Sequence, residues 1–132
     1  MPAKYDNLPV FKLCYDALFQ IINWIHRMQR DFRYGIADDQ RRIIMEVLLC
    51  IYRANNAKEK APYLQKAIEL MVEVKIYTRV LHDAKQISTP QFALAADLHV
   101  NIEKNLANWC RYSLAHDGEH NRNPEKTDTM VR

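Results

Sequence analysis

The side chains best suited to chemistry crowd into "HDGEH" at 116–120, where His116, Asp117, Glu119 and His120 fall close together. Imidazole nitrogens and carboxylate oxygens are the donors that hold zinc and related cations, and this spacing would let them share one. A metal site also needs its ligands fixed in place. Gly118 amid a polar stretch supplies no such support, so no metal is expected there. A carboxylate metal site inside a helical bundle needs Glu-x-x-His on two helices, and the chain contains none. His99 stands alone on an apolar helix face and reads as a packed histidine making one hydrogen bond. No serine or cysteine sits in a nucleophile motif, and Gly35 and Gly118 are the only glycines, too few for a phosphate-cradling loop. The residues point away from an enzyme and from any cofactor. Cys14, Cys50 and Cys110 match no zinc or redox spacing and read as free, buried thiols in a reducing cytosol.

Basic charge remains. Lys75, Arg79 and His82 follow one helical stripe at i, i+4 and i+7, with the apolar Ile68 and Val72 upstream on it. Such a stripe is either a solvated flank or a ridge for phosphates. A second basic group comprises Arg41, Arg42 and Arg53 with Lys58 and Lys60. Nineteen basic against sixteen acidic residues give a net charge of +3, so the distribution matters more than the total. The residues alone favour a helical protein-interaction scaffold, with nucleic-acid binding second.

The elements that carry these residues follow from period and punctuation. A chain of 132 residues fits one domain with a core of its own. The scarcity of glycine argues against a turn-rich β fold, and the prolines at 9, 62, 90 and 124 divide the chain into helix-sized pieces. The first helix is expected at about 9–33, with Phe11, Cys14, Leu18, Ile21, Ile25, Met28 and Phe32 in steps of three and four along one face. Gly35 is expected to end it in the left-handed conformation. The second, at about 37–56, begins at Asp38 and Asp39 and is apolar on most sides, with Glu46 placed to pair with Arg42. The third, at about 62–86, turns Leu64, Ala67, Met71, Val74 and Leu81 inward. Either Ser88 with Gln91, or Thr89 ahead of Pro90, opens the fourth, at about 90–114. Its inward set is Phe92, Ala95, His99, Ile102, Leu106 and Trp109. Four amphipathic helices joined by short links predict an all-α fold, an antiparallel up-down-up-down four-helix bundle. Residues 115–132 lose the periodicity and are expected to form a flexible polar tail.

The longest apolar run, "IIMEVLLCIY", is broken by Glu46 and is far below the ~20 residues that span a bilayer. "MPAKYDNLPV" lacks the apolar core of a secretion signal, so a cytoplasmic protein without a membrane partner is expected.

Residues 9–113 resemble a known family. The features are "MQRDFRYGIADDQRR", "IIMEVLLCIYRANNAKEK", "LQKAIELMVEVKIYTRVLHDAKQIST" and "IEKNLANWC". They are similar to the four-helix-bundle group containing the accessory variability determinant (Avd) of diversity-generating retroelements. Proteins encoded in intervening sequences of ribosomal RNA genes belong to the same group. Those usually follow the "YGIADDQRR" turn with a serine- and proline-bearing segment ending in glycine, whereas this chain continues with a long apolar run, as on the Avd side. Lys75 and Arg79 match the basic residues that Avd-like proteins carry one turn apart. The resemblance implies a non-enzymatic homopentamer that binds reverse transcriptase and RNA, with DNA as a further ligand, in support of mutagenic retrohoming. Lys75 and Arg79, with Arg41, Arg42, Arg53, Lys58 and Lys60, are then the expected nucleic-acid or polymerase contacts. Leu49 and Ile76 are the expected subunit contacts. A ring of five would carry roughly +15 and repeat each ridge by symmetry. The acids Asp38, Asp39, Glu69 and Glu73 depart from a strongly basic surface.

Overall fold

The computed structural model describes residues 4–121, with the side chains of Asp6 and 117–121 outside the description. It is all-α. After a short 3-10 turn at Tyr5–Asn7 come α1 (Pro9–Ile25), the brief α2 (Arg30–Tyr34), α3 (Ile36–Asn56), α4 (Ala61–Asp83) and α5 (Thr89–Asn121). The four long helices form the bundle. Each packs on the next in chain order, and α1 closes the circle against α5. Two contacts fix the sense of the α4–α5 pair: Lys75 reaches Glu103, while His82, further along α4, stacks on Phe92, earlier in α5. These helices therefore run antiparallel. No described helix is long and apolar enough to cross a membrane.

The expected seams meet in the middle. Ile21, Ile44, Ile51, Leu64, Met71, Leu81, Ile102 and Leu106 are almost wholly excluded from solvent. Burying each such side chain contributes about 1.5–3 kcal/mol, which makes this core the main source of stability. A few polar side chains enter the core, Gln40 the most completely buried of them. Gln40 donates through Nε2 to the Val74 carbonyl (2.9 Å) and to Thr78 Oγ1 (2.6 Å), which fixes the register of α3 on α4. The three cysteines are free and buried, and burial pushes the Cys14 thiol up to about 12.

The expected first helix is two helices. It breaks after Ile25, and the chain turns through residues 26–29 before α2 starts. Neither glycine nor proline marks the break. Arg33 makes it tolerable by folding back along α1. Its Nε donates to the Ile25 carbonyl at 3.1 Å and its Nη2 to the carbonyls of His26 (2.8 Å) and Met28 (3.3 Å). A guanidinium among the last carbonyls of a helix satisfies orphan acceptors and suits the negative end of the helix dipole.

Gly35 separates α2 from α3 with φ −107°, so the left-handed expectation is corrected. The need for glycine is a close approach: a Cβ at this position would lie 2.7 Å from the Asp31 carbonyl oxygen.

The third expected helix stops at Asp83, three residues early. Gln86 N–H bonds the Leu81 carbonyl (2.8 Å), Lys85 N–H bonds that of His82 (2.9 Å), and Lys85 takes φ 62° between them. This is a Schellman closure, in which glycine is the usual left-handed residue. A lysine there is less favourable by about 1 kcal/mol. Ser88 then opens α5 through a reciprocal capping box, its amide donating to Gln91 Oε1 (2.7 Å) and its Oγ accepting from Gln91 N–H (3.2 Å). That decides between the two caps the sequence allowed.

The helix α5 runs to Asn121, seven residues past its expected end, so the first part of the expected tail is helical. Loss of amphipathic period does not end a helix. Each added residue still gains a backbone hydrogen bond, and an interior glycine such as Gly118 costs only about 1 kcal/mol. The remainder of that expected tail, 122–132, lies outside the described residues.

Candidate functional site

The expected ridge on α4 is built as its spacing requires, with its charges already engaged. Lys75 Nζ lies 3.0 Å from Glu103 Oε2 on α5, and Arg79 Nε lies 3.8 Å from Asp83 Oδ2 one turn on. His82, the third member, is half-buried, stacked on Phe92 and 3.1 Å from Thr89 Oγ1. Exposed ion pairs are weak, so the two cations can move. A phosphate that approaches either one nevertheless meets its carboxylate too.

The second basic group divides. Arg41 and Arg42 converge on one carboxylate, Asp38, at 2.6 and 2.8 Å. Arg42 thus looks toward the helix start, and the expected pair with Glu46 is replaced. The hydrogen bond from Arg41, helped by the charge of Arg42, holds the Asp38 carboxyl below its ordinary value against a smaller opposing effect of desolvation. Lys60 serves the fold. Its ammonium donates to the carbonyls of Ala54 (2.9 Å), Asn55 (3.1 Å) and Ala57 (2.8 Å), closing the C-terminal end of α3.

Arg53 and Lys58 are different. Both are exposed, and neither forms an ion pair among the described residues. Arg53 sits on the last turn of α3, and Lys58 follows in the connector. Beside them is a residue that sequence reasoning missed, Lys66 on the second turn of α4. It too is exposed and without an ion pair among the described residues. The charges of Arg53 and Lys66 both act on the buried Cys50 thiol, which places them on the same α3–α4 flank. Glu46 acts on Cys50 as well, so the flank is not purely basic. Burial still raises that thiol more than the charges alter it. Tyr63 is partly exposed and lines a shallow hollow of about 330 Å³ with Ala57, Lys58, Glu59 and Pro62. The corner thus combines three unneutralised cations with an accessible aromatic ring, the pairing that binds phosphates and stacks bases on single-stranded nucleic acid.

The two expected subunit contacts are exposed on different flanks. Leu49 on α3 shows 42% of its surface and Ile76 on α4 shows 56%. Each has apolar company: Met45 and Tyr52 near Leu49 along α3, and Val72 one turn from Ile76. A run of rings from Tyr52 through Tyr5, Phe11 and Tyr15 to Phe19 lies beside the first patch, with neighbouring centroids 4.9–6.1 Å apart.

His99 is buried, at 2% exposure, as a packed histidine should be. Burial first, and the charge of Lys75 second, lower its pKa to about 4, so it is neutral at ordinary pH. Among the described residues no group of three or more His, Cys, Asp or Glu could hold a metal ion. The full expected cluster at 116–120 lies outside them, because the side chains of 117–120 are not described. The chain matches no protein-family model and no curated protein.

Proposed function

We propose that the protein is a non-enzymatic accessory of the Avd type, a helical bundle that assembles into a ring and binds RNA or DNA together with a reverse transcriptase. The observation that carries the nucleic-acid part is the α3–α4 corner, where Arg53, Lys58 and Lys66 stand unneutralised near Tyr63. The Lys75–Arg79 ridge joins it as a weaker contact. Assembly rests on the exposed apolar patches around Leu49 and Ile76. Two unlike patches on one subunit suit a head-to-tail contact, and head-to-tail contacts close into rings when the rotation allows. Five copies is the number the family resemblance implies. Cytoplasmic location belongs to the same proposal.

The test has two arms. Mass measured in solution should give a closed oligomer of five chains, and Leu49→Glu with Ile76→Glu should reduce it to smaller species. RNA affinity should fall steeply with added salt, because each phosphate neutralised releases counterions. Affinity that is negligible even at low salt would leave the runner-up, a helical protein-interaction scaffold. That runner-up is favoured by one observation, the exposed aromatic run from Tyr52 to Phe19. A gene lying inside a ribosomal RNA gene, rather than beside a reverse transcriptase, would instead favour the intervening-sequence group.

A further inference from the structure

The end of the bundle opposite the α3–α4 corner carries a second set of cations, which sequence spacing scatters across two segments. The turn between α1 and α2 meets the turn between α4 and α5 through one side chain. Gln29 N–H donates to Gln86 Oε1 at 2.8 Å, and Gln86 Nε2 donates to the Ala84 carbonyl at 3.1 Å. This clasp sets Arg27 and Arg30 at the same end as Lys85. All three are exposed, and none forms an ion pair among the described residues.

Lys85 is the informative member. It occupies the left-handed position of the α4 closure, where glycine would fit without strain. No hydrogen bond or ion pair of its side chain within the described residues offsets that cost. Lys85 instead lines an open hollow of about 610 Å³ together with His82, Asp83, Gln86, Ile87, Ser88 and Thr89. The nearby acid Asp83 is shared between Arg79 and His82. Three further acids stand at this end: Asp31 in α2, and Asp38 and Asp39 in the first turn of α3, of which Asp38 is already held by Arg41 and Arg42. Several carbonyls at these helix ends already accept bonds, those of Ile25 and His26 from Arg33 and those of Leu81 and His82 from the amides of Gln86 and Lys85.

We propose that this end is a second RNA contact, with Lys85 the central cation and Arg27 and Arg30 beside it on the phosphate backbone. The proposal rests on the reading of the chain as an RNA-binding accessory. Two contacts at opposite ends of one bundle would hold a strand along its length, and repetition around a ring would multiply both.

Lys85→Gly separates charge from fold, because it removes the cation and relieves the backbone together. A fluorescently labelled single-stranded RNA, titrated at low salt against the full chain, is expected to bind Lys85→Gly about five- to tenfold more weakly. The slope of log affinity against log salt should shrink by about 1. The thermal midpoint should rise, and Lys85→Arg should keep wild-type affinity. Unchanged RNA affinity in a stabilised Lys85→Gly would overturn the proposal and leave Lys85 as a helix terminator. Loss of polyglutamate binding with RNA binding intact would assign this end to an acidic protein and overturn it equally. If the wild type binds no RNA, the reading of the function falls as well. If reversal of Arg53, Lys58 and Lys66 abolishes binding while Lys85→Gly does not, only this inference falls.

Discussion

Lys75 and Arg79 in the middle of α4, and Arg53, Lys58 and Lys66 at the α3–α4 corner, carry the same kind of charge and differ in their company. The ridge lies against α5, which supplies Glu103, and one turn before Asp83 on its own helix. The corner lies where the chain reverses, and its three cations have no acid within ion-pair distance among the described residues. Spacing along one helix therefore identifies a stripe of cations without showing whether it is a positive surface. A neighbouring helix decides that. For a partner as highly charged as RNA, the unneutralised corner is the stronger attractor although its residues come from three separate segments.

The comparison can be broken or sharpened in steps of decreasing size. The largest effect should come from His99, which links the ridge to the core. Its folded pKa of about 4 lies below the ordinary 6.5, so the unfolded chain takes up the proton first as pH falls. The stabilisation is complete above pH 6.5, is lost as pH drops through that interval, and is fully lost below about 4. The loss amounts to roughly 3 kcal/mol. Denaturant unfolding at several pH values should show it in the wild type, and His99→Leu should be flatter over the same range. Equal slopes would mean that His99 is solvated and the ridge is not packed over it.

Next in size is Lys60→Met, which removes three bonds to carbonyls at the end of α3. It should destabilise the fold by about 1.5 kcal/mol in denaturant titrations. RNA affinity should change by less than about twofold, since its charge serves the fold and not the surface. A large loss of RNA binding at wild-type stability would return Lys60 to the binding group. The smallest effect is expected from Glu103→Gln, which frees Lys75. RNA affinity should rise by about two- to fourfold, the value of a weak surface pair. No rise would mean that the ridge faces away from RNA even when unpaired.

How much of this was legible follows from the kind of interaction involved. The second helix, the inward set of α4 and the inward set of α5 are periodic features of single segments, and the sequence displays them directly. Both turn signals around Ser88 were visible too, and the capping box needed only its geometry to decide it. The break after Ile25 was hidden because the apolar steps through Met28 and Phe32 continue the helical period. What permits the break is a side chain eight residues away, Arg33. Lys85 was hidden because a left-handed lysine has no sequence signature. Lys66 was missed because it is isolated along α4 and gains its neighbours only when α4 packs on α3. Lys60 was grouped by charge, although it acts through three local carbonyls. The engagement of Lys75 by Glu103 is likewise a property of two helices together.

The most direct test compares charge reversal at the two sites in one salt series. Wild type, Lys75→Glu/Arg79→Glu and Arg53→Glu/Lys58→Glu/Lys66→Glu would each be titrated with a single-stranded RNA from low to moderate salt. Helix content and oligomer mass would be checked alongside. The corner variant should lose on the order of a hundredfold in affinity at low salt, and its salt slope should fall by about 3, while the ridge variant loses less than tenfold. A ridge variant as weak as the corner variant, or a corner variant that binds like the wild type, would contradict the assignment of the main contact to Arg53, Lys58 and Lys66.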